Sequence, residues 1–363
     1  MSQRLYLVDA SIYIFQAHFS PQMIWSRRAE DRSAFAGFAR FLLRLLQVVR
    51  RQASQDGSGQ AGLAVAFDES LFRGFRHRLY ADYKSNRVLP DENLARQLAA
   101  CVRLCRSVGV QAFSSQEYEA DDIIGTLAAR ARMPLNGSSL ATVAPTAVHT
   151  ATENAQCTHG RQQLAGSDGV TDALMQPDVV IVTRDKDLSQ VLHSDQDHLW
   201  DFQTGERRFR QDIHTRYGIW PEQFPCYLGL AGDSSDCIPG VPGVGHVSAT
   251  RLLQHFGDLD QLYQRLDEVT ALPIRGARRC ANQLREHEEL ARLSRTLATL
   301  VQCDDADEAF ASVDPACLHI GPVDQKLYDD IIVDMGLTDD ECRRLVSMLQ
   351  PLMDERAPEE SIS

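Results

Sequence analysis

The sequence predicts an α/β fold, in which a mostly parallel central sheet carries helices on both faces and a helical subdomain follows. Three observations predict it. Apolar runs at 5–8, 63–67 and 179–182 have the length and composition of buried parallel strands. Longer helical patterns separate these runs, and such alternation is typical of a doubly wound sheet. From Asp212 to about Leu300 the pattern is almost wholly helical.

Two helices, a fourth strand and a hairpin complete the predicted core. A helix over 35–49 has Phe and Leu side chains spaced to bury one broad face. A second helix over 93–108 is followed by a short strand over 110–113, and residues 198–202 and 207–209 flank a turn as a hairpin. The carboxyl ends of parallel strands line one crevice, where a binding site is expected.

Composition and cysteine usage limit the class of protein. The 363 residues are enough for a large core and about two domains. No window approaches the roughly 18 apolar residues that span a bilayer, and the N-terminal apolar stretch lacks a signal-peptide cleavage pattern. The nine cysteines include no C-x-x-C pair, so neither a disulfide framework nor a zinc site is indicated. We therefore expect a cytoplasmic protein with no membrane partner.

The net charge of −13 is unevenly distributed. After Cys303 the chain has 16 acidic and 4 basic residues, a net charge of −12, so residues 1–303 carry only −1. Nine acids in that part form the set discussed below, and without them its net charge is +8. A basic body of this kind is what binding to a phosphate backbone requires.

The chain divides into three predicted regions. Residues 1–211 form the α/β core, residues 212–303 the helical subdomain, and residues 304–363 an acidic, partly helical extension. Residues 133–178 contain no Phe, Trp or Tyr and are rich in Ala, Thr, Ser and Gly. Such a segment buries too little apolar surface to offset chain entropy, so we expect a disordered insertion.

Nine carboxylates fall at positions from which they could meet at the predicted crevice. Asp9 and Asp68 end two strands, while Asp185 and Asp187 follow a third and lie on one side of an extended segment. A single Asp after a strand is most often a helix cap or turn former, but three in one topological position weaken that explanation. The full set is Asp9, Asp68, Glu119, Asp121, Asp122, Asp185, Asp187, Asp233 and Asp236.

The other acids of this set strengthen the prediction of a metal site. Glu119, Asp121 and Asp122 open a helix, and three acids in four residues exceed what capping or the macrodipole needs. Asp233 and Asp236 lie in a Gly-Asp-x-x-Asp turn. Gathering so many like charges is costly unless divalent cations neutralise them. Oxygen-only ligation favours Mg²⁺ or Mn²⁺ over zinc.

Two further patterns indicate nucleic-acid binding. The glycine-rich segment 240–245 precedes a helix over 246–256, where backbone N–H groups can meet a phosphate without reading sequence. The residues predicted to bind DNA there are Gly240, Val241, Gly243, Val244, Gly245 and His246.

The second pattern is a basic and aromatic patch, a mixture that suits single strands. Its basic side chains are Arg73, Arg76, Arg78, Lys84 and Arg87, and they alternate with Phe72, Phe75, Tyr80 and Tyr83. A solvated basic loop is the alternative interpretation of this second patch. Arg275, Arg278 and Arg279 are a candidate extension of the duplex footprint.

Together these motifs resemble the 5′ nuclease, or flap endonuclease-like, family, and within it the bacterial 5′→3′ exonuclease type that also occurs at the N-terminus of DNA polymerase I. The matching segments are Leu7-Val8-Asp9, Phe67-Asp68, Phe75-Arg76-His77 with Tyr83-Lys84, Tyr118 to Asp122, Asp185 to Leu188, and Gly232 to Gly245. The resemblance covers about 4–132 and 179–303. It implies a PIN-like core, a helical arch or gateway over about 72–100, and a helix-three-turn-helix subdomain.

The resemblance also implies residue roles. A first metal ion would take Asp9, Asp68, Glu119 and Asp121; a second would share Asp121 and add Asp185, Asp187 and Asp236, with Asp122 and Asp233 acting through bound waters. Lys84 and Arg76 would face the scissile phosphate, Tyr83 would stack on a displaced base, and Arg87 would contact DNA. A K⁺ ion would help the glycine hairpin hold the duplex. Gln16 and Cys237 depart from the family pattern, which commonly has Arg and Asn there.

The function expected from this resemblance is a monomeric, nucleoid-associated 5′→3′ exonuclease or flap endonuclease, with two Mg²⁺ or Mn²⁺ ions. Its substrates would be 5′ flaps, nicked or gapped duplexes and RNA-primed ends. The alternatives are a catalytically weak or non-enzymatic DNA-structure-binding paralogue, a PIN-like ribonuclease and, more distantly, a small-molecule phosphatase. Self-inhibition by the acidic tail, through mimicry of nucleic acid, is a further hypothesis.

Overall fold

A six-stranded sheet lies at the centre of the part of the chain that the computed structural model describes. The strands are β1 (Arg4–Asp9), β2 (Gly62–Asp68), β3 (Gln111–Ser115), β4 (Asp178–Val182), β5 (His198–Trp200) and β6 (Arg207–Phe209). Their order is β3-β2-β1-β4-β5-β6, and every neighbouring pair is parallel except β5 and β6. The predicted mostly parallel sheet is confirmed, and the predicted strand and hairpin positions differ from these bounds by at most two residues.

The described residues are 4–19, 31–57, 61–69, 72–133, 176–302, 310 and 312–354. All six strands belong to one compact unit, made of Met1–Arg132 and Gln176–Ser363. The predicted disordered insertion at 133–178 falls almost entirely outside the described residues. Its predicted end is wrong, however, because Asp178 is the first residue of β4.

Helices cover both faces of the sheet, as predicted. Those of the core are α1 (Ala10–His18), α2 (Ser33–Gln55), α3 (Phe75–Leu79), α4 (Glu92–Ser107) and α5 (Ala120–Arg130). The alternation of side chains along β1 divides the interior into two layers. Leu5 and Leu7 join the layer that contains α5, while Tyr6 and Val8 join the layer that contains α2 and α4. Strands that are buried on both faces explain the continuous apolar runs in the sequence.

The close crossing of α1 and α2 depends on Gly37. A Cβ atom at this position would lie 2.2 Å from the Cβ of Ala17. A larger residue would push the two helices apart, so α2 needs glycine here despite the low helix propensity of that residue.

The gateway region is less helical than the resemblance implied. Only α3, with five residues, and the start of α4 are helical between 72 and 100. Residues 80–91 between them form turns and irregular chain.

The helical subdomain follows β6 and shares a core layer with the sheet. Its helices are α6 (Arg210–Tyr217), α7 (Phe224–Ala231), α8 (His246–Phe256), α9 (Leu259–Gln264), α10 (Ala277–Glu286) and α11 (Glu288–Ala298). Short 3₁₀ turns at Pro221–Gln223 and Leu266–Ala271 link them. This agrees with the predicted helical region from Asp212.

Two C-terminal helices, α12 (Gln325–Met335) and α13 (Asp339–Asp354), pack on α2 and α4. Tyr328, Ile331 and Leu345 are buried in that layer. Part of the acidic charge of this extension pairs with the core, because Asp334 forms salt bridges with Arg96 and Arg103. The extension is therefore integrated into the fold as far as Asp354. No helix among the described residues has the length and apolar character needed to cross a membrane.

Candidate active site

The ends of β1 and β2 bring two carboxylates side by side. Asp9 and Asp68 are the last residues of these adjacent strands. The backbone N–H of Ser11 donates to Asp9 Oδ1 (3.1 Å), and its hydroxyl donates to Asp68 Oδ2 (2.7 Å). The hydroxyl of Thr183, just after β4, donates to Asp9 Oδ2 (3.0 Å), and the N–H of Ala120 donates to Asp68 Oδ1 (2.8 Å). Both carboxylates are thus fixed at the carboxyl edge of the sheet.

Asp121 and Asp185 complete a first acidic group with Asp9 and Asp68. Burial raises the pKa of Asp9 to about 7, and the negative charges of Asp68 and Asp185 add to this effect. Burial also raises the pKa of Asp121 well above its ordinary value, and the negative charges of Asp185 and Asp9 add to this shift. These four acids therefore lie close enough to repel one another. Their shared negative charge is the main electrostatic feature of the crevice.

A second acidic group surrounds Lys186. The ammonium nitrogen of Lys186 lies 2.8 Å from Asp233 Oδ2 and 3.1 Å from Asp187 Oδ1. Burial and the charge of Asp185 raise the pKa of Asp187 to about 7. At Asp233 burial acts in the same upward direction, but hydrogen bonds from Lys186 and Ser235 outweigh it and lower the pKa. Asp185 also accepts the N–H of Asp187 (2.8 Å), which joins this group to the first.

A third group places two basic side chains against Glu119 and Asp236. Lys84 is buried, with its Nζ 2.8 Å from Glu119 Oε2 and 3.7 Å from Asp236 Oδ2. Burial acts to raise the pKa of Glu119, but the charges of Lys84 and Arg76 lower it to about 2. Arg87 Nη2 lies 2.8 Å from Asp236 Oδ1. The predicted basic residues Lys84 and Arg87 therefore do lie at the acidic crevice.

Arg76 and Asp122 lie elsewhere than predicted. Both are fully buried, and Arg76 donates to both oxygens of Asp122 (2.5 and 2.7 Å). Arg76 also donates to the backbone carbonyls of Leu297 and Thr299 (both 2.8 Å). The N–H of Val301 donates to Asp122 Oδ1 (3.0 Å). Arg76 Nη1 also lies 3.6 Å from Glu119 Oε2. Since both charged groups are occupied by these protein partners, we correct the assignments of Arg76 to a phosphate and of Asp122 to the metal site.

Tyr83 is also not placed as predicted. Its side chain is only 3% exposed, and its ring packs edge-on against His77 with centroids 5.4 Å apart. Its hydroxyl donates to Glu119 Oε2 (2.9 Å). A nucleic-acid base cannot stack on a ring that is covered in this way, so the predicted stacking role is wrong for this arrangement. Tyr83 instead orients Glu119.

The glycine hairpin has a structural half and an exposed half. The side chains of Val241 and Val244 are buried, and their N–H groups donate to the carbonyls of Leu230 (2.8 Å) and Val241 (3.0 Å). Gly240 is buried as well, and its N–H donates to the hydroxyl of Ser294 (3.0 Å). These three residues therefore shape the hairpin, which corrects their predicted contact with DNA. Of the residues predicted to bind DNA here, the exposed ones are Gly243, Gly245 and His246.

The exposed half of the hairpin lies at the N-terminus of α8. Gly245 is the N-cap residue of α8 and His246 is its first residue. The first N–H groups of a helix have no partner within it, so they can meet an anion there. His246 is oriented by Tyr227, whose hydroxyl lies 2.9 Å from His246 Nδ1.

The two departures from the family pattern have different surroundings. Gln16 Nε2 donates to Gln203 Oε1 (2.6 Å), which links α1 to the β5–β6 hairpin. Cys237 has φ 55°, in the left-handed region that Asn tolerates better than most other residues. The preceding turn residue is Asp236, so the strained position lies directly beside the crevice.

Sequence reasoning missed three residues that shape the site. Ser11 and Thr183 position Asp9 and Asp68, and a hydroxyl residue within two positions of a strand-end carboxylate was the available signal. Lys186 lies between two predicted ligands in the sequence, yet nothing in a single sequence shows that its ammonium contacts Asp187 and Asp233.

The donor set fits a hard divalent cation. In the described ranges, from residue 4 to residue 354 with their gaps, no three acidic, histidine or cysteine side chains surround one point as a complete metal shell would. The first group nevertheless consists wholly of carboxylate oxygens whose repulsion a cation would relieve. Lysine and arginine side chains supply positive charge to Glu119, Asp187, Asp233 and Asp236.

Two family models match the chain. One describes the N-terminal resolvase-like domain of 5′-3′ exonucleases and matches residues 4–143. The other describes their C-terminal SAM fold and matches residues 219–319. Together they match about two thirds of the chain.

Curated relatives agree with these models. A 5′-3′ exonuclease of Buchnera aphidicola is 27% identical over 294 residues, which cover 81% of this chain and 85% of that protein. DNA polymerase I of Pseudomonas aeruginosa is 33% identical over 304 residues, covering 83% of this chain but 27% of the polymerase. The chain thus spans about a quarter of the length of the polymerase relatives it matches.

Solved structures show the same fold. The T5 5′-exonuclease with bound divalent metal ions (zinc) has a TM-score of 0.54 and 18% identity, with 92% of this chain and 98% of that chain covered. The bacteriophage T5 D15 flap endonuclease in a complex with DNA and metal ions has a TM-score of 0.54 and 17% identity, over 92% of this chain and all of that chain. The core, the helical subdomain and the two matching models lead to one conclusion. The chain belongs to the 5′-3′ exonuclease family.

Proposed function

We propose that this chain is a divalent-metal-dependent nuclease that hydrolyses DNA phosphodiesters at 5′ ends and 5′ flaps. The single observation that carries the proposal is the acidic crevice at the carboxyl edge of the sheet, in which Asp9, Asp68, Asp121 and Asp185 repel one another. A fold that keeps such repulsion has a use for cations there. Family membership supports the reaction, because members of this family are 5′-3′ exonucleases.

The residues that would hold metal follow the grouping of the site. Asp9, Asp68, Glu119 and Asp121 would hold one ion. Asp121, Asp185, Asp187 and Asp236 would hold the second, with Asp233 acting through bound water. Mg²⁺ or Mn²⁺ suits this oxygen-only set. Bound there, two such ions would supply water activation and charge stabilisation for in-line displacement.

The chain's own residues would position the substrate. Lys84 is buried at the crevice beside Glu119, where its charge would stabilise the negative charge that develops on phosphate oxygens. Gly243, Gly245 and His246 at the start of α8 would hold a duplex phosphate, and a K⁺ ion bound there remains a prediction. The partners would be 5′ flaps, nicked or gapped duplexes and RNA-primed ends.

The alternatives are less well supported. A protein that only binds DNA would not need the mutual repulsion of the first acidic group. A PIN-like ribonuclease would need neither the glycine hairpin nor the helical subdomain that carries it, and both are present.

The test is cleavage of a labelled 5′-flap DNA with Mg²⁺ and with chelator, comparing the wild type with Asp121→Asn. Asp330→Asn, an exposed acid on α12, is the matched control. We expect Mg²⁺-dependent cutting by the wild type and the control, and at least a hundredfold loss in Asp121→Asn. Cutting that persists with chelator, or equal rates in all three proteins, would refute the proposal.

A further inference from the structure

The chain uses lysine rarely, and two of its few lysines lie at the acidic crevice. Only three of its 37 basic residues are lysines: Lys84, Lys186 and Lys326. Lys84 and Lys186 pair with the candidate metal ligands, while Lys326 is exposed on α12. An ammonium group is a compact point charge on a flexible stem, whereas arginine holds carboxylates in a rigid fork. Lysine is therefore better suited than arginine to an ion pair with a carboxylate that has to break when another cation binds.

The two crevice lysines differ in how firmly they are held. The side chain of Lys84 is 8% exposed, and the backbone N–H of Lys84 donates to the carbonyl of Asp236 (3.0 Å). The side chain of Lys186 is 36% exposed, and its charged end bridges Asp187 and Asp233. Lys186 can therefore leave these carboxylates for solvent without disturbing the core.

The position of Lys186 conflicts with a metal ion at Asp187. Its ammonium nitrogen lies 3.1 Å from Asp187 Oδ1, so a divalent ion bound to that oxygen would lie close to the ammonium and repel it. The same ammonium also lies 2.8 Å from Asp233 Oδ2. A divalent ion at Asp187 and the ammonium of Lys186 therefore compete for Asp187 Oδ1.

We propose that Lys186 is a positioning residue that occupies the Asp187–Asp233 carboxylates in the metal-free protein and is displaced when a divalent ion binds there. This inference rests on the metal-dependent function proposed above. The ammonium keeps the second acidic group assembled before the metal arrives, and its displacement lowers the net affinity for the ion.

The direct test observes the lysines themselves. A protein labelled with ¹³C-lysine gives three side-chain signals, assigned with Lys186→Met, Lys84→Met and Lys326→Met. As Mg²⁺ is added, we expect the Lys186 signal to move in step with metal occupancy measured by calorimetry, and the Lys326 signal to stay unchanged. A Lys186 signal that stays in place while calorimetry shows a saturated metal site would overturn the inference and leave the proposed function intact.

Metal affinity gives a second, independent readout. Mn²⁺ titrations should give about fivefold tighter binding to Lys186→Met than to the wild type, which corresponds to about 1 kcal/mol. Lys186→Arg should bind Mn²⁺ more weakly than the wild type, because a fork would hold both carboxylates more firmly. Thermal melting and the remaining lysine signals check that each variant folds. Equal affinities in all three proteins, or weaker binding by Lys186→Met, would overturn the inference. Absence of any metal binding by the wild type would instead refute the proposed function.

Discussion

Arg76 and Asp122 form a fully buried, bidentate ion pair that joins the gateway helix α3 to the first turn of α5. The same arginine reaches the carbonyls of Leu297 and Thr299 at the end of α11, so three segments meet at one guanidinium. The pair holds Glu119 and Asp121 in position at the crevice, because both lie within three residues before Asp122 and the N–H of Glu119 donates to Asp122 Oδ2 (3.0 Å). Its contribution to the site is therefore structural.

Removing one partner of this pair should be strongly destabilising. Arg76→Met leaves the carboxylate of Asp122 buried without its partner, and we expect a loss of about 3–5 kcal/mol in the free energy of unfolding. Urea unfolding measures it. The double variant Arg76→Met with Asp122→Leu should lose less than the sum of the two single variants. Additive losses would contradict the proposed pairing.

The crevice acids should make the metal-free protein less stable as the pH rises. The pKa of Asp9 is about 7 in the folded chain and about 3.9 when unfolded. Between these values the folded state binds more protons, so this contribution to stability is present at about pH 4 and is lost as the pH rises through about 7.

Asp121→Asn tests that charge effect. The pKa of Asp121 is raised, like that of Asp9. The variant should therefore melt at a higher temperature than the wild type at pH 8 in chelator, and the difference should shrink toward pH 5. Mg²⁺ should stabilise the wild type more than the variant. A variant that melts lower at pH 8, or responds equally to Mg²⁺, would show that the acids do not repel one another as described.

Cys237→Asn should stabilise the fold. Cys237 has φ 55°, and a left-handed conformation costs an ordinary side chain about 1–2 kcal/mol, whereas Asn adopts it more readily. We expect a gain of about 0.5–1 kcal/mol in unfolding experiments. Cys237→Val is the opposing control, because a β-branched residue tolerates this conformation poorly. The strain would be disproved if Asn and Val gave the same stability.

Two glycines of the hairpin should respond differently to alanine. A Cβ atom at Gly240 would lie 2.3 Å from the backbone nitrogen of Gly232, whereas at Gly243 it would meet nothing within 4 Å. Both have positive φ, so Gly243→Ala should cost about 1 kcal/mol from conformation alone. Gly240→Ala should cost several times more and weaken duplex binding, measured by melting and fluorescence anisotropy. Similar losses for both variants would contradict the close approach at Gly240.

Lys84→Met should impair cleavage more than binding. Its ammonium lies 2.8 Å from Glu119 and is almost completely buried, so it is placed for charge that develops in the transition state. We expect a loss of about 10²–10³ in the rate of flap cleavage. Flap affinity in the presence of chelator should change by less than threefold. A large loss of affinity with unchanged cleavage at saturation would assign Lys84 to ground-state binding.

The parts of the fold that could be predicted are those with a strong periodic signal. Strands buried on both faces give continuous apolar runs, and a carboxylate at the end of each run marks the crevice, as at Asp9 and Asp68. The direction in which a charged side chain turns has no such signal. Arg76 and Lys84 lie eight residues apart in one basic segment, yet the first is saturated inside the protein and the second reaches the crevice.

The burial of some aromatic and valine side chains could not be predicted from the sequence either. Tyr83 and Val244 lie in motifs that suit nucleic-acid binding, but each is covered by neighbours distant in sequence. The packing of α12 and α13 on α2 and α4 depends on contacts more than 200 residues apart, such as Arg32 Nε donating to the carbonyl of Met335 (2.8 Å). Only the three-dimensional arrangement reveals these relationships.

The number of Mn²⁺ ions bound at saturation, measured by electron paramagnetic resonance, tests most directly whether the separate acids build one metal-binding crevice. The wild type should bind two ions, and Asp121→Asn, which removes the carboxylate shared by both proposed sites, should lose at least one. A wild type that binds none, or a variant that still binds two with unchanged affinity, would contradict a shared crevice.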